Sequence, residues 1–341
     1  MKKINLAIDI MGGDFGPETI IDAVSKASKI FPGVRFRLFG NKELALLELN
    51  KFPSFKNYDL IHTTEYIKSG DEPVHALRKL KKSSLRLAIN DIKNNSSHGL
   101  VSAGNTGAMM AISKFVLKTI EGINRPAIAG LMPTLRGESV ILDLGANIEC
   151  THENLVQFAV MGEAFSKLVI QKKRPKIGVL NVGSEEIKGN SVVKRTFEEI
   201  EKYKSLMNFY GFIEGNDINK GIVDVIVTDG FSGNIALKTA EGVAELIFNF
   251  LQNAYKSSYI SKLGYLLSKP ALNRFKARID PRKYNGATLL GLNGIVVKSH
   301  GSADSFGFSN AISVAIGLID NDYNSVIKNN LETYSKLVDL K

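Results

Sequence analysis

At 341 residues, with 44% hydrophobic and 23% charged residues, the chain has the composition of an enzyme-sized globular protein, not of a disordered or fibrous one. Lysine and arginine exceed aspartate and glutamate by 44 to 34, so the surface field favours anionic partners: nucleic acid, anionic lipid, phosphate or acidic protein. Cys150 is the only cysteine; that excludes an intrachain disulfide and a cysteine-based zinc site, and fits a reducing, cytoplasmic compartment.

The opening MKKINLAIDI has a basic pair and an apolar run, but Asn5 and Asp9 interrupt the run. It is too short for a secretory segment and reads as the first strand. No apolar stretch approaches the length of a spanning helix, which leaves any membrane contact peripheral. Further strands are expected at RFRLFG from Arg35, LIHTT from Leu60, GLVSAG from Gly99, SVILDLGA from Ser139, KIGVLNVG from Lys176, VDVIVTDG from Val223 and GIVVKSHG from Gly294. Helical stretches separate them, the βαβ pattern of an α/β protein. Most runs are apolar throughout, as in a mainly parallel sheet covered on both faces. No repeat or linker divides the chain, and the pattern puts a boundary between two lobes near residue 135.

Asp9, Ser102, Asp143, Asn181, Asp229 and His300 each end a strand near glycine and precede a predicted helix. In open α/β sheets the ligand gathers outside the carboxyl ends of the strands. These loops are therefore expected to converge on one polar, glycine-lined cleft.

DIMGGDFGP, from Asp9, is either a tight strand-to-helix connection with Pro17 opening the helix or a loop whose bare N–H groups approach an anion. It is neither GxGxxG nor a Walker A sequence. SAGNTGA, from Ser102, is either a helix cap or a phosphate cradle. NVGSEEIKGN, from Asn181, and TDGFSGNIALK, from Thr228, put glycine, serine and asparagine at a strand end and a lysine, Lys188 or Lys238, a few residues on. A single such lysine reads as a surface charge; repetition at several sheet ends favours a ligand. SHGSAD, from Ser299, offers His300 as a proton carrier or a structural hydrogen-bonder. The other histidines form no ligand spacing, and ECTHEN, from Glu149, reads as a helix start.

Two basic tracts remain. VHALRKLKKSSLRLA, from Val74, is a solvated helix face or a dock for something acidic. Val243, Leu246, Ile247, Phe250, Leu251 and Ala254 make a helical apolar stripe, read as core or dimer packing. From Tyr255 to Lys283, apolar residues such as Leu263, Leu266 and Leu267 alternate with basic ones. That mixture suits a helix lying on an anionic membrane or a partner-binding arm.

In this order, DIMGGDFGP, SAGNTGA, RPAIAGLMPT, LDLGAN, GVLNVGSEEIKGN, DVIVTDGFSGNIALKTAEG and GLNGIVVKSHGSAD resemble the bacterial phosphate acyltransferase of phospholipid synthesis, the PlsX family. The resemblance runs from residue 4 to about residue 319 and implies one acyltransferase unit over 1–341. It implies two α/β lobes in three layers, α/β/α, with a mainly parallel sheet, like phosphotransacetylases and isocitrate or isopropylmalate dehydrogenases. It also implies acyl transfer from acyl carrier protein to inorganic phosphate, giving an acyl phosphate for a downstream glycerol-3-phosphate acyltransferase. A homodimer touching the membrane through a helical tip at 255–283, with no metal or redox cofactor, belongs to the same implication.

By resemblance, Lys188 and Asn234 stand at the reacting centre and His300 protonates the departing thiolate. Asp9, Gly12, Gly13, Asp14, Ser102, Gly104, Asn105, Thr106, Asn181, Ser184, Asp229, Ser232 and Gly233 then line the phosphate and substrate site. Arg78, Lys79 and Lys82 become a dock for the acidic carrier. The chemistry needs no protein nucleophile, because phosphate is already nucleophilic and a thioester already activated. Competing readings are a phosphotransacetylase-like enzyme using coenzyme A and a metal-dependent dehydrogenase of the same fold. The latter needs convergent carboxylates where these loops offer asparagine, serine and lysine. A nucleic-acid binder would explain the charge, but the chain has no such motif.

Overall fold

A computed structural model describes residues 3–338, with side chains up to residue 333; residues 1–2 and 339–341 of the expected 1–341 unit lie outside it. Strands β1 (Ile4–Asp9), β2 (Val34–Gly40), β3 (Tyr58–His62) and β4 (Gly99–Ser102) are joined through helices α1 (Gly16–Ile30), α2 (Lys42–Leu49), α3 (Pro73–Lys79) and α4 (Ser84–Lys93). After α5 (Thr106–Leu117) come a hairpin of β5 (Ala127–Thr134) and β6 (Gly137–Leu142), then α6 (His152–Val169) and β7 (Ile177–Leu180). Next are α7 (Ser191–Glu201), β8 (Phe209–Ile213) and β9 (Val225–Val227). Two long helices, α8 (Gly230–Lys256) and α9 (Tyr259–Ile279), precede β10 (Ala287–Leu290), β11 (Ile295–Lys298), α10 (Ser305–Asp320) and α11 (Tyr323–Val338).

The strands form one sheet in the order β3-β2-β1-β4-β11-β10-β5-β6-β9-β7-β8. Two parallel groups, β3-β2-β1-β4-β11 and β6-β9-β7-β8, are separated by antiparallel pairings at β11–β10, β10–β5 and β5–β6. Residue 135 falls in the turn of the β5–β6 hairpin.

Both faces of the sheet are covered, and the alternation of strand side chains decides which residue serves which face. In β1, Leu6 and Ile8 pack into one core with α1, α6 and α10, while Ala7 joins the other with α4 and α5. In β6, Val140 and Leu142 face the α6 side with Phe158 and Phe165, and Ile141 the opposite side. Phe158 and Phe165 are fully buried, each contributing about 2–3 kcal/mol by the area it removes from water. The result is a three-layer α/β/α architecture around a mainly parallel sheet.

Strands β5, β8 and β10 were not expected from the sequence. Pro133 and Gly130 break up β5, Gly211 lies in β8 at φ +112°, and β10 is four residues long; each feature weakens a strand signal. The basic tract from Val74 is not one helix: it is α3 and α4, parted at Leu80–Ser83, where the Ser83 hydroxyl caps α4. ECTHEN does begin a helix, with Thr151 and Asn154 forming a reciprocal cap on α6. The stripe on α8 is not core within this chain, since Val243, Leu246, Ile247 and Phe250 are exposed. Helices α8 and α9 form a hairpin, joined by a Phe248–Phe275 ring contact and a Tyr255–Ser268 hydrogen bond. No residue of α9 is buried. Among the described residues no helix is long and apolar enough to cross a membrane.

Candidate active site

The strand-end loops assemble into two groups, one on each parallel part of the sheet. Among the described residues no hydrogen bond joins one group to the other.

The first group follows β1, β4 and β11. Asp9 is buried at the end of β1, where its carboxylate accepts from Ser102 Oγ at 2.7 Å and from the Met11 N–H at 3.2 Å. Burial pushes its pKa up, against hydrogen bonds from Ser84, Ser102 and Met11 and the charge of Lys298. Ser102 Oγ also accepts from the Gly104 N–H at 3.0 Å, so this hydroxyl is fully engaged. Gly12 is glycine because a Cβ there would stand 2.6 Å from the Gly104 nitrogen. The bare backbone thus serves close packing of two loops. Gly13 packs on Gly301, whose carbonyl accepts from the Asp14 N–H at 2.9 Å. Asn105 caps α5 and donates to the carbonyls of Ser69 and Asp71, while Thr106 begins that helix in solvent. His300 is exposed, with Nδ1 2.9 Å from Ser302 Oγ.

The ammonium of Lys298 donates to the carbonyls of Ala103 and Ser299 inside this group. Burial pulls its pKa down to about 8, opposed by the charges of Asp14 and Asp9. Sequence reading did not assign Lys298 to a site; its only signal was a lysine closing an otherwise apolar strand.

The second group follows β6, β7 and β9, three adjacent strands. Asp143 is fully buried, and its carboxylate accepts from the N–H groups of Ile128, Ala146 and Asn147 and from Asn147 Nδ2, at 2.7–3.0 Å. Burial nevertheless raises its pKa. The loop held this way is the bed for the first turn of α8. The Gly230 N–H donates to the Asn147 carbonyl at 2.8 Å, a Cβ on Gly145 would lie 3.5 Å from the Asn234 Cβ, and Gly233 rests on the Asp143 carbonyl. Asp229 caps α8 by accepting from the Ser232 N–H at 2.7 Å and its hydroxyl at 3.2 Å. Asp143 carried a signal in LDLGAN, as a carboxylate at a strand end, but its role as support needed the packing.

Asn181 ends β7 and folds its own loop, accepting from the Val182 N–H and donating to the Lys188 carbonyl. Ser184 and Lys188 lie exposed on that loop. The loops after β7 and β9 face one another across a cavity of about 620 Å³, lined by Asn181, Gly189 and Asn190 on one side and Thr228, Asp229 and Ser232 on the other. The Lys188 ammonium and the Asn234 amide make no hydrogen bond among the described residues, unlike the side chains of Asp143, Asn147, Asn181, Asp229 and Ser232 around them. Cys150 donates weakly to the Asn147 carbonyl, and burial, with the charge of Asp143, pushes its thiol up to about 11. It is therefore protonated near neutrality and a poor nucleophile.

The chain is 49% identical over 326 residues to a phosphate acyltransferase of Paramagnetospirillum magneticum, covering 95% of this chain and 93% of that one. It is 50% identical over 331 residues to a phosphate acyltransferase of Rhodospirillum centenum, covering 97% and 93%. A family model described as "Fatty acid synthesis protein" matches residues 4–326. The chain belongs to this phosphate acyltransferase family. As a member it is an acyltransferase, and membership supports acyl transfer to phosphate. In fold it is similar to a phosphotransacetylase from Streptococcus pyogenes, with a TM-score of 0.64 and 18% identity over 94% of this chain and 95% of that one. A branched-chain phosphotransacylase from Enterococcus faecalis gives 0.56 and 14%, over 93% and 99%. The three-layer sheet of this family member is thus the phosphotransacetylase fold.

Proposed function

We propose that the protein transfers a fatty acyl group from the thioester of an acidic acyl carrier protein to inorganic phosphate, for use in phospholipid synthesis. A phosphate oxygen attacks the thioester carbonyl carbon, giving a tetrahedral oxyanion. The carbon–sulfur bond then breaks, releasing acyl phosphate and a thiolate that takes a proton from water or from His300. The protein's work is to strip and align phosphate against the carbonyl and to stabilise the oxyanion. Lys188 neutralises phosphate or oxyanion charge, Asn234 donates a hydrogen bond, and Ser184 and the N–H groups of its loop complete the cradle, with Ser232 held beside it by Asp229. The loops at Asp9 and Ser102 serve as support in this reading.

The observation that carries the proposal is the availability of those two groups. Loop-forming polar side chains around the cavity hold the backbone, while the Lys188 ammonium, beside the cavity-lining Gly189, and the Asn234 amide, two residues after the cavity-lining Ser232, make no hydrogen bond among the described residues. The acyl phosphate would pass to a glycerol-3-phosphate acyltransferase. The exposed α8 stripe would be covered in a homodimer, and Leu263, Leu266 and Leu267, all exposed on α9, would touch an anionic membrane surface. Arg78, Lys79 and Lys82 are exposed and available to the carrier.

The test uses purified full-length protein with a fatty acyl carrier thioester or the matching coenzyme A thioester, with and without phosphate. Phosphate-dependent release of carrier thiol, with acyl phosphate trapped by hydroxylamine, is expected. Consumption of the coenzyme A thioester alone would overturn the carrier as donor.

A further inference from the structure

Eight cations lie on α3, α4, α5 and their connections: Arg78, Lys79, Lys81, Lys82, Arg86, Lys93, Lys114 and Lys118. Among the described residues no ion pair uses any of them. Three nearby carboxylates are engaged elsewhere: Glu65 accepts from the Lys82 N–H at 2.9 Å, Asp71 from the Lys68 N–H at 2.8 Å, and Asp91 pairs with Arg37. Unpaired like charges repel one another and raise the local potential, a state that an acidic partner relieves.

Between two of them stands Phe115, 57% exposed on α5. The Arg86 guanidinium lies 5.6 Å and the Lys118 ammonium 5.1 Å from its ring centroid. An aromatic side chain held in place by two cations is a ready apolar anchor inside a charged rim, the anatomy of an interface hot spot. A membrane fits this face poorly. Interfacial helices need a continuous apolar stripe, and Val74 and Phe115 are the only large exposed apolar residues of these three helices.

We infer that this face docks an acidic protein surface, whose carboxylates meet Arg78, Lys82, Arg86 and Lys118 while an apolar side chain seats on Phe115. The inference rests on the reading above, in which an acidic carrier delivers the acyl group. Phe115 sets the position of the carrier and the cations steer it, so the dock extends beyond the α3 cations to the end of α5.

The experiment compares wild type, Phe115→Ala and the double variant Arg86→Glu with Lys118→Glu, all as full-length protein. Donors are the acyl carrier thioester and a small acyl N-acetylcysteamine thioester that carries no protein. The expected result is a rise of roughly tenfold or more in KM for the carrier thioester, with kcat and turnover of the small thioester unchanged. An unchanged KM for the carrier, or an equal loss with both donors, overturns the inference. Calorimetric titration with unacylated carrier separates the dock from the acyl-donor reading. Binding to wild type but not to the variants supports the dock even where no carrier thioester is consumed. Equal binding to all, or binding to none, overturns it. Loss of binding to phosphatidylglycerol vesicles in the variants, with carrier affinity intact, would make this a membrane patch and also overturn it.

Discussion

Gly233 rests directly on the main-chain carbonyl of Asp143, so the helix start that carries Asn234 is seated on the loop after β6 with no room for a side chain between them. A methyl group there must push α8 off its bed. Gly233→Ala is expected to lower acyl transfer by on the order of a hundredfold, the scale of a misplacement near 1 Å, and to lower the melting temperature. Wild-type turnover would show that this seat does not position the site.

Asp143 holds that bed through four donors at once. Asp143→Ala leaves the N–H groups of Ile128, Ala146 and Asn147 without their acceptor, while the Asn147 amide keeps only the Pro126 carbonyl. Each orphaned buried donor costs about 1–3 kcal/mol, so urea unfolding should show a loss of about 3 kcal/mol or more. A midpoint within error of wild type would contradict this accounting.

Lys188 and Asn234 should behave in the opposite way. Among the described residues neither side chain supports the fold by a hydrogen bond, so Lys188→Ala and Asn234→Ala should melt like wild type while turnover drops by roughly a hundredfold or more, as when an oxyanion donor is removed. Rates near wild type from these folded variants would remove both residues from the reacting centre.

Lys298 makes stability depend on alkaline pH. Its folded pKa of about 8 lies below its ordinary 10.5, so between those values the unfolded chain binds more protons than the native one. Stability from this group is therefore present above about pH 10.5 and lost as pH falls through about 8. Lys298→Met should flatten the gain in urea midpoint between about pH 8 and pH 10 relative to wild type. Parallel pH profiles for the two proteins would show that Lys298 is ordinarily solvated.

The α8–α9 hairpin is expected to act apart from the chemistry. Leu263→Glu with Leu267→Glu should abolish sedimentation with anionic vesicles and leave turnover in solution intact. Vesicle binding that survives the pair would remove this part of α9 from the contact.

Most of the parallel strands were legible in the sequence because Val, Ile and Leu dominate their runs and helical stretches separate them; β1 is read at its observed bounds, Ile4–Asp9. Strands β5, β8 and β10 were hidden by glycine, proline and brevity, since their stability comes from neighbours on the sheet and not from local pattern. Strand-end residues are also easily recognised, but their division between two loop groups follows from sheet order, which no local stretch encodes. Ser102 illustrates the limit: its composition allows a phosphate ligand or a structural hydroxyl, and only the packed Asp9 and Gly104 show it engaged. Lys298 and Phe115 escaped notice because their significance is what surrounds them, a buried crevice in one case and two cations in the other.

The central claim is that phosphate meets the acyl group at the loops after β6, β7 and β9. A crystal structure of the full-length protein soaked with inorganic phosphate tests it most directly. The account predicts phosphate within hydrogen-bond reach of Lys188 Nζ and Asn234 Nδ2. Phosphate bound instead among Asp9, Ser102 and Lys298, with Lys188 and Asn234 untouched, would contradict it.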